Sequence, residues 1–187
     1  MPLEAKAHYS ATNLLLMFFL FSFVGWAWEC LIVFIQGGIF INRGSLYGPW
    51  IPIYGFGGLA VLLFLGRLNK RPLLCFFAII VLCGIIEYVG ASIIWSVLHI
   101  KYWDYSGYFF NIQGRICLEG LLSFGVLGMM GMHVIAPAAD FLLLKVPLAL
   151  RQRICAGLIV LFGADVTLCL FYPHMGAGIT TSIRTKE

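Results

Sequence analysis

Four stretches of the chain, 13–36, 73–99, 116–136 and 154–172, are each about twenty residues or more of almost unbroken apolar sequence. A helix crossing the hydrocarbon core of a bilayer needs about 20 such residues. In lipid the backbone must satisfy its own hydrogen bonds, so each stretch reads as a transmembrane helix. A fifth run, 51–68, is shorter and opens with Gly55, Gly57 and Gly58 among apolar residues. It is expected to span as well, tilted or entered through irregular backbone. The expected fold is therefore all-α, a single integral membrane domain over residues 1–187 built as a polytopic bundle of about five transmembrane helices.

Composition agrees. Charged residues are 11% of the 187 and apolar residues 61%, against a typical ~25% charged in soluble domains. Eight acidic and twelve basic side chains cannot coat a soluble globule, which excludes a soluble enzyme, a disordered regulator and a disulfide-stapled secreted domain. The net charge of +4 is small and dispersed, so no nucleic-acid partner is expected. The partner is the lipid bilayer. The N-terminal apolar run is too long for a signal-peptide core and lacks an A-x-A site, so it is expected to stay in place.

The segment 138–153 holds Asp140, Lys145, Pro147 and Arg151 among leucines and is expected to lie at the interface. The tail beyond Pro173 is expected to fray. Lysines and arginines on alternating loops set orientation. Lys6, Arg67, Lys70, Arg71, Lys145, Arg151 and Arg153 fall on one side, and Arg43, Lys101, Arg115, Arg184 and Lys186 on the other. The richer side is taken as cytoplasmic, which puts the N-terminus inside and the loops 37–50 and 101–115 outside.

Ionisable groups in hydrocarbon cost roughly 2.5–3.5 kcal/mol each on insertion scales and mark functional sites by default. Four acids lie within the runs: Glu29, Glu87, Glu119 and Asp165. At ~1.5 Å per residue, Glu87 lies near the midplane and the other three nearer the outer ends. Arg43 and Arg115 approach from the outer loops, and Arg115 shares a helix face with Glu119 if the helix has begun by then. Two accounts fit: structural ion pairs that lock helices together, or an outward polar chamber for an ion, a proton or a polar head group. The stretch 42–55, NRGSLYGPWIPIYG, is dense in turn formers. It is expected as an irregular, re-entrant loop that lines a cavity or is buried in protein. In the second outer loop Trp103 and Tyr105 suit a head-group belt, and Asp104 between them can pair with Arg43 or Arg115.

Other chemistries find no footing. His8, His99, His133 and His174 lack metal-ligand spacing, the six cysteines form no CxxC pair, and there is no G-x-S-x-G, HExxH or GxxxxGK[ST]. No metal or cofactor is expected, and any ATP hydrolysis must come from another chain. Gly120, Gly125, Gly128 and Gly131 give one helix a small-residue face suited to helix packing.

Five motifs in order resemble the CmpB-like family: FxGWxxE (Phe23, Gly25, Trp26, Glu29), NRGxxYGPxxPIYGxG over 42–57, Glu87-Tyr88, WDYS over 103–106, and NxxGRIxLE over 111–119. That family is described as putative ABC-transporter type IV permeases. The resemblance runs from residue 19 to 131. It implies a bacterial cytoplasmic-membrane permease subunit energised by a separate ATPase, and a chain of this size would pair as a homodimer to enclose a path. By matching motifs it carries over Glu29, Asn42, Arg43, Tyr47, Tyr54, Glu87, Trp103, Asp104, Tyr105, Asn111, Arg115 and Glu119 as solute-binding candidates. Asp165 joins them on depth alone. Two alternatives stay open: an embedded enzyme acting on a lipid or lipid-linked substrate, with Arg43 and Arg115 on an anionic head group and Glu29 or Glu87 as general base, or an accessory subunit whose charges are structural ties.

Overall fold

A computed structural model describes residues 9–174 and 180–181. Lys6, His8, Arg184, Lys186 and most of the tail lie outside the described residues. The helices are α1 (Ala11–Gly37), α2 (Pro52–Leu65), α3 (Pro72–Leu98), α4 (Leu118–Met130), α5 (Ala136–Leu144) and α6 (Leu148–Phe171). A π-helical turn, Gly131–Ile135, joins α4 to α5, so the two form one continuous rod. Counting that rod once, α1, α3, α4–α5 and α6 are long and apolar enough to cross a membrane. The α2 stretch, Pro52–Leu68 with its terminal 3₁₀ turn, is apolar but shorter. The chain is a helical membrane bundle.

Local chemistry sets the helix ends. The Ser10 hydroxyl accepts from the Asn13 amide at 3.2 Å to open α1, and Gly38, at φ 68°, closes it. Pro52 and Pro72 occupy the first turns of α2 and α3, where a missing N–H costs nothing. Pro147 precedes α6.

The interfacial segment expected at 138–153 is not a separate element. Its first part extends the α4–α5 rod to Leu144, and its last part begins α6, with a break only over 145–147. Two of the polar residues that argued against helix interiors, Asp140 and Arg151, are satisfied through α1: the Asn13 side-chain amide donates to Asp140 Oδ1 at 2.6 Å, and Arg151 Nη1 donates to Asn13 Oδ1 at 2.6 Å. Part of the tail also pairs, since Thr180–Thr181 (β2) forms a two-residue antiparallel ladder with Ile100–Lys101 (β1).

Helix α1 packs against α2, α5 and α6, and α3 against α2 and α4. Without a hydrophobic drive between helices in lipid, close approach of backbones supplies the adhesion. Gly55 and Gly58 of α2 leave room for Phe18, Ser22 and Phe21 of α1, while Gly125 and Gly128 of α4 receive Phe76 and Ile79 of α3. Two buried clusters result, Val61–Cys75–Ile79–Met132 and Met17–Phe21–Ala136. Apolar side chains such as Leu73, Phe77, Val97 and Leu170 point outward, the composition a lipid-facing surface requires. The bundle has two distinct ends, one carrying the loops 38–51 and 99–117, the other carrying 66–71 and 145–147.

Candidate functional site

The loop 38–51 is pinned at both flanks. Trp26 of α1 donates its indole N–H to Asn42 Oδ1 at 2.6 Å, the Asn42 amide donates to the Tyr47 carbonyl at 2.9 Å, and the Ile51 N–H reaches the Ser22 carbonyl at 3.0 Å. From α6, Asp165 accepts the backbone N–H of Tyr47 at 3.0 Å, that of Gly48 at 2.8 Å and the Trp50 indole N–H at 2.8 Å. So held, the loop presents the Arg43 guanidinium to Glu29, with Nε 3.5 Å from Oε2. The Tyr54 hydroxyl, at the start of α2, donates to the other oxygen of Glu29 at 3.1 Å.

The loop 99–117 builds its own scaffold. Asn111 donates to the Ser106 and Tyr108 carbonyls and accepts from the Gly114 N–H, the Tyr105 N–H donates to the Gly114 carbonyl, and the Trp103 indole donates to the Arg115 carbonyl. Asp104 closes the turn through the Ser106 hydroxyl and N–H and pairs with Lys101 at 2.9 Å. This scaffold carries the Tyr105 hydroxyl to within 3.4 Å of Glu87 Oε1 in α3. Burial, and then the neighbouring Glu87, push the Tyr105 hydroxyl above the ordinary tyrosine range, so it stays a donor.

Hydrogen bonds from Ser106, with Lys101 beside it, hold the Asp104 carboxyl at about 2, below its ordinary 3.8. A carboxyl depressed in this way favours the folded turn fully above 3.8 and loses that contribution as pH falls through about 2. An NMR titration of Asp104 is expected to show a midpoint near 2, moving up toward 3.8 in Ser106→Ala. An unshifted wild-type midpoint would mean that the turn does not form.

Between the two loops and helices α1–α3 lies an open cavity of about 590 Å³. Glu29, Asn42, Arg43, Tyr54, Glu87, Trp103 and Tyr105 line it, so seven of the thirteen sequence candidates converge there. An apolar cavity of about 660 Å³ lies against α1, α2 and α4 and shares Ile53, Tyr54, Ile86, Glu87 and Phe124 with the first. Tyr54 and Glu87, one member of each Tyr–Glu pair, thus stand at the boundary of a mixed cavity and an apolar one.

The other six candidates fall elsewhere. Tyr47, Asp104, Asn111 and Asp165 hold the loops in shape. Arg115 donates to the Tyr88 hydroxyl at 3.4 Å and to Gln113, and lines a smaller cavity of about 260 Å³. Glu119 is exposed. The Arg115–Glu119 pairing does not arise because α4 starts at Leu118, which leaves Arg115 in the loop with no shared helix face. The walls also include Ile53, Phe56, Val89, Gly90, Ile93 and Tyr102, which the sequence reading omitted. Tyr102 was reachable through its neighbour Trp103, but the aliphatic residues carry no signal that separates a cavity wall from a lipid-facing surface. Among the described residues, no three His, Cys, Asp or Glu side chains come together as a metal site.

Residues 16–170 match the model of a CmpB family described as putative ABC-transporter type IV. No curated protein and no solved structure matches the chain.

Proposed function

Because this chain belongs to the family described as putative ABC-transporter type IV, we propose that it is the membrane-embedded subunit of a transporter and that the cavity of about 590 Å³ is its solute chamber. One observation carries the reading: three ionisable side chains that are costly in a bilayer, Glu29, Arg43 and Glu87, come from three separate elements to one cavity. The solute is small, polar or amphipathic. Energy comes from a separate ATPase, and a second copy of the chain completes the path. The ATPase docks at the end carrying 66–71 and 145–147. Among the described residues that end holds Arg67, Lys70, Arg71, Lys145, Arg151 and Arg153, against Arg43, Lys101 and Arg115 at the other. By the positive-inside rule it is cytoplasmic in a bacterial membrane, the N-terminus is inside and the chamber opens outward.

The test is a thermal-shift screen of the detergent-purified protein against head groups, metabolites and lipids, with Gly90→Phe alongside. Gly90 lines the cavity, and a side chain there enters next to Ile53. A solute that raises the melting temperature of wild type by several degrees and leaves Gly90→Phe unmoved is the expected result. Equal shifts in both proteins would place binding elsewhere and overturn the chamber.

The adjoining apolar cavity of about 660 Å³ favours a second reading, in which an acyl chain lies there while its head group is processed at Glu29 or Glu87. Unchanged lipid composition in host cells carrying Glu29→Gln and Glu87→Gln would remove it.

A further inference from the structure

Resting on the reading of this cavity as a solute chamber, we propose that its solute is an organic cation with an apolar body. The ionisable side chains lining the cavity are Glu29, Arg43 and Glu87. Arg43 and the Tyr54 hydroxyl both serve Glu29, at 3.5 Å and 3.1 Å. Glu87 is only 5% exposed and, among the described residues, has a single hydrogen-bond donor, Tyr105, at 3.4 Å. A carboxylate offers about four lone-pair sites, so most of its acceptor capacity faces the cavity unmet. Among the described residues no lysine, arginine or histidine lies within ion-pair distance of it. Two carboxyl groups against one guanidinium leave one carboxyl group of the cavity, that of Glu87, without a cationic partner among the described residues.

The surrounding chemistry narrows the class. Tyr54, Tyr102, Trp103, Tyr105 and Phe124 put aromatic rings around the same space, and ring faces attract organic cations, more strongly when water is excluded. Ile53, Ile86, Val89 and Ile93 form the remaining wall, which matches an apolar body. A hard metal ion takes six or more oxygen ligands and favours clustered carboxylates, and among the described residues no three His, Cys, Asp or Glu side chains come together to hold one. An anion would meet a guanidinium already engaged by Glu29 and two carboxylates close by.

The probes are tetraphenylphosphonium and tetraphenylborate, which share shape and apolar surface and differ in sign of charge. Equilibrium binding of each is measured on the purified full chain, with Glu87→Gln, Gly90→Phe and the exposed Glu119→Gln alongside. Wild type and Glu119→Gln are expected to bind the phosphonium saturably and in preference to the borate, and Glu87→Gln to bind it about tenfold or more weakly, the loss of a charge-assisted contact. Equal binding of the two ions by wild type, or unchanged phosphonium binding in Glu87→Gln, overturns the cation. The wild-type comparison needs no variant to fold. Gly90→Phe separates the two claims: if wild type binds both ions equally and Gly90→Phe abolishes both, the chamber stands and the cation falls, and if Gly90→Phe leaves all binding intact, the chamber itself fails.

Discussion

Replacing Asn13 with leucine is expected to destabilise the bundle by about 3 kcal/mol, the size seen when one member of a buried charged network is removed. Asn13 is 1% exposed and sits between two charges, donating to Asp140 and accepting from Arg151, each at 2.6 Å. Leucine fills similar volume but leaves a guanidinium that is 9% exposed without its acceptor and a carboxylate without its donor. The three residues come from α1, α5 and α6, so the loss weakens the attachment of two helices to α1 at once. Reversible unfolding in mixed micelles measures it. In the double variant Asn13→Leu/Arg151→Met the second substitution is expected to cost much less than it does alone, because both remove the same contact. A single-variant loss below about 1 kcal/mol would mean that water solvates this end of the bundle.

Asp165→Ala is expected to cost about 2–3 kcal/mol, because hydrogen bonds to a charged group contribute more than neutral ones and three donors lose one acceptor together. The effect is local as well as global. The Tyr47 and Gly48 N–H groups and the Trp50 indole are the attachment of the loop 38–51 to α6, so that loop is expected to become the first site of limited proteolysis. Asp165→Asn keeps one acceptor oxygen and is expected to fall between wild type and alanine. Intact loop protection in Asp165→Ala would show that the Asn42 and Ile51 bonds to α1 suffice to hold it.

The helices were legible wherever apolar runs met capping chemistry. The runs 13–36 and 73–99 lie within two residues of α1 and α3 at each end, since Ser10, Gly38 and Pro72 mark the boundaries. The end of the fourth run was misplaced by eight residues, at 136 rather than Leu144. There Asp140 argued for an interface, and its partner, Asn13, lies 127 positions away. Partners at that separation cannot be read from local pattern. Arg43 stood out because it approaches Glu29 and Glu87 from an outer loop, and those two because charge in an apolar run is costly. Asp165 stood out for the same reason, yet its role as the anchor of a loop emerges only when the loop is folded back on α6. The Arg115–Glu119 pairing depended on a helix start three residues earlier than the true one, a precision that periodicity does not reach.

The π turn at Gly131–Ile135 acts as a phase shift. Successive residues advance by about 100° around a regular helix, so one extra residue in a turn rotates everything beyond it by roughly that angle. The α4–α5 rod therefore meets two different neighbours in succession: Gly125 and Gly128 meet α3 in its first half, and Ala136 and Asp140 meet α1 in its second. A single long helix is in effect two half-helices with separate allegiances, joined at the π turn.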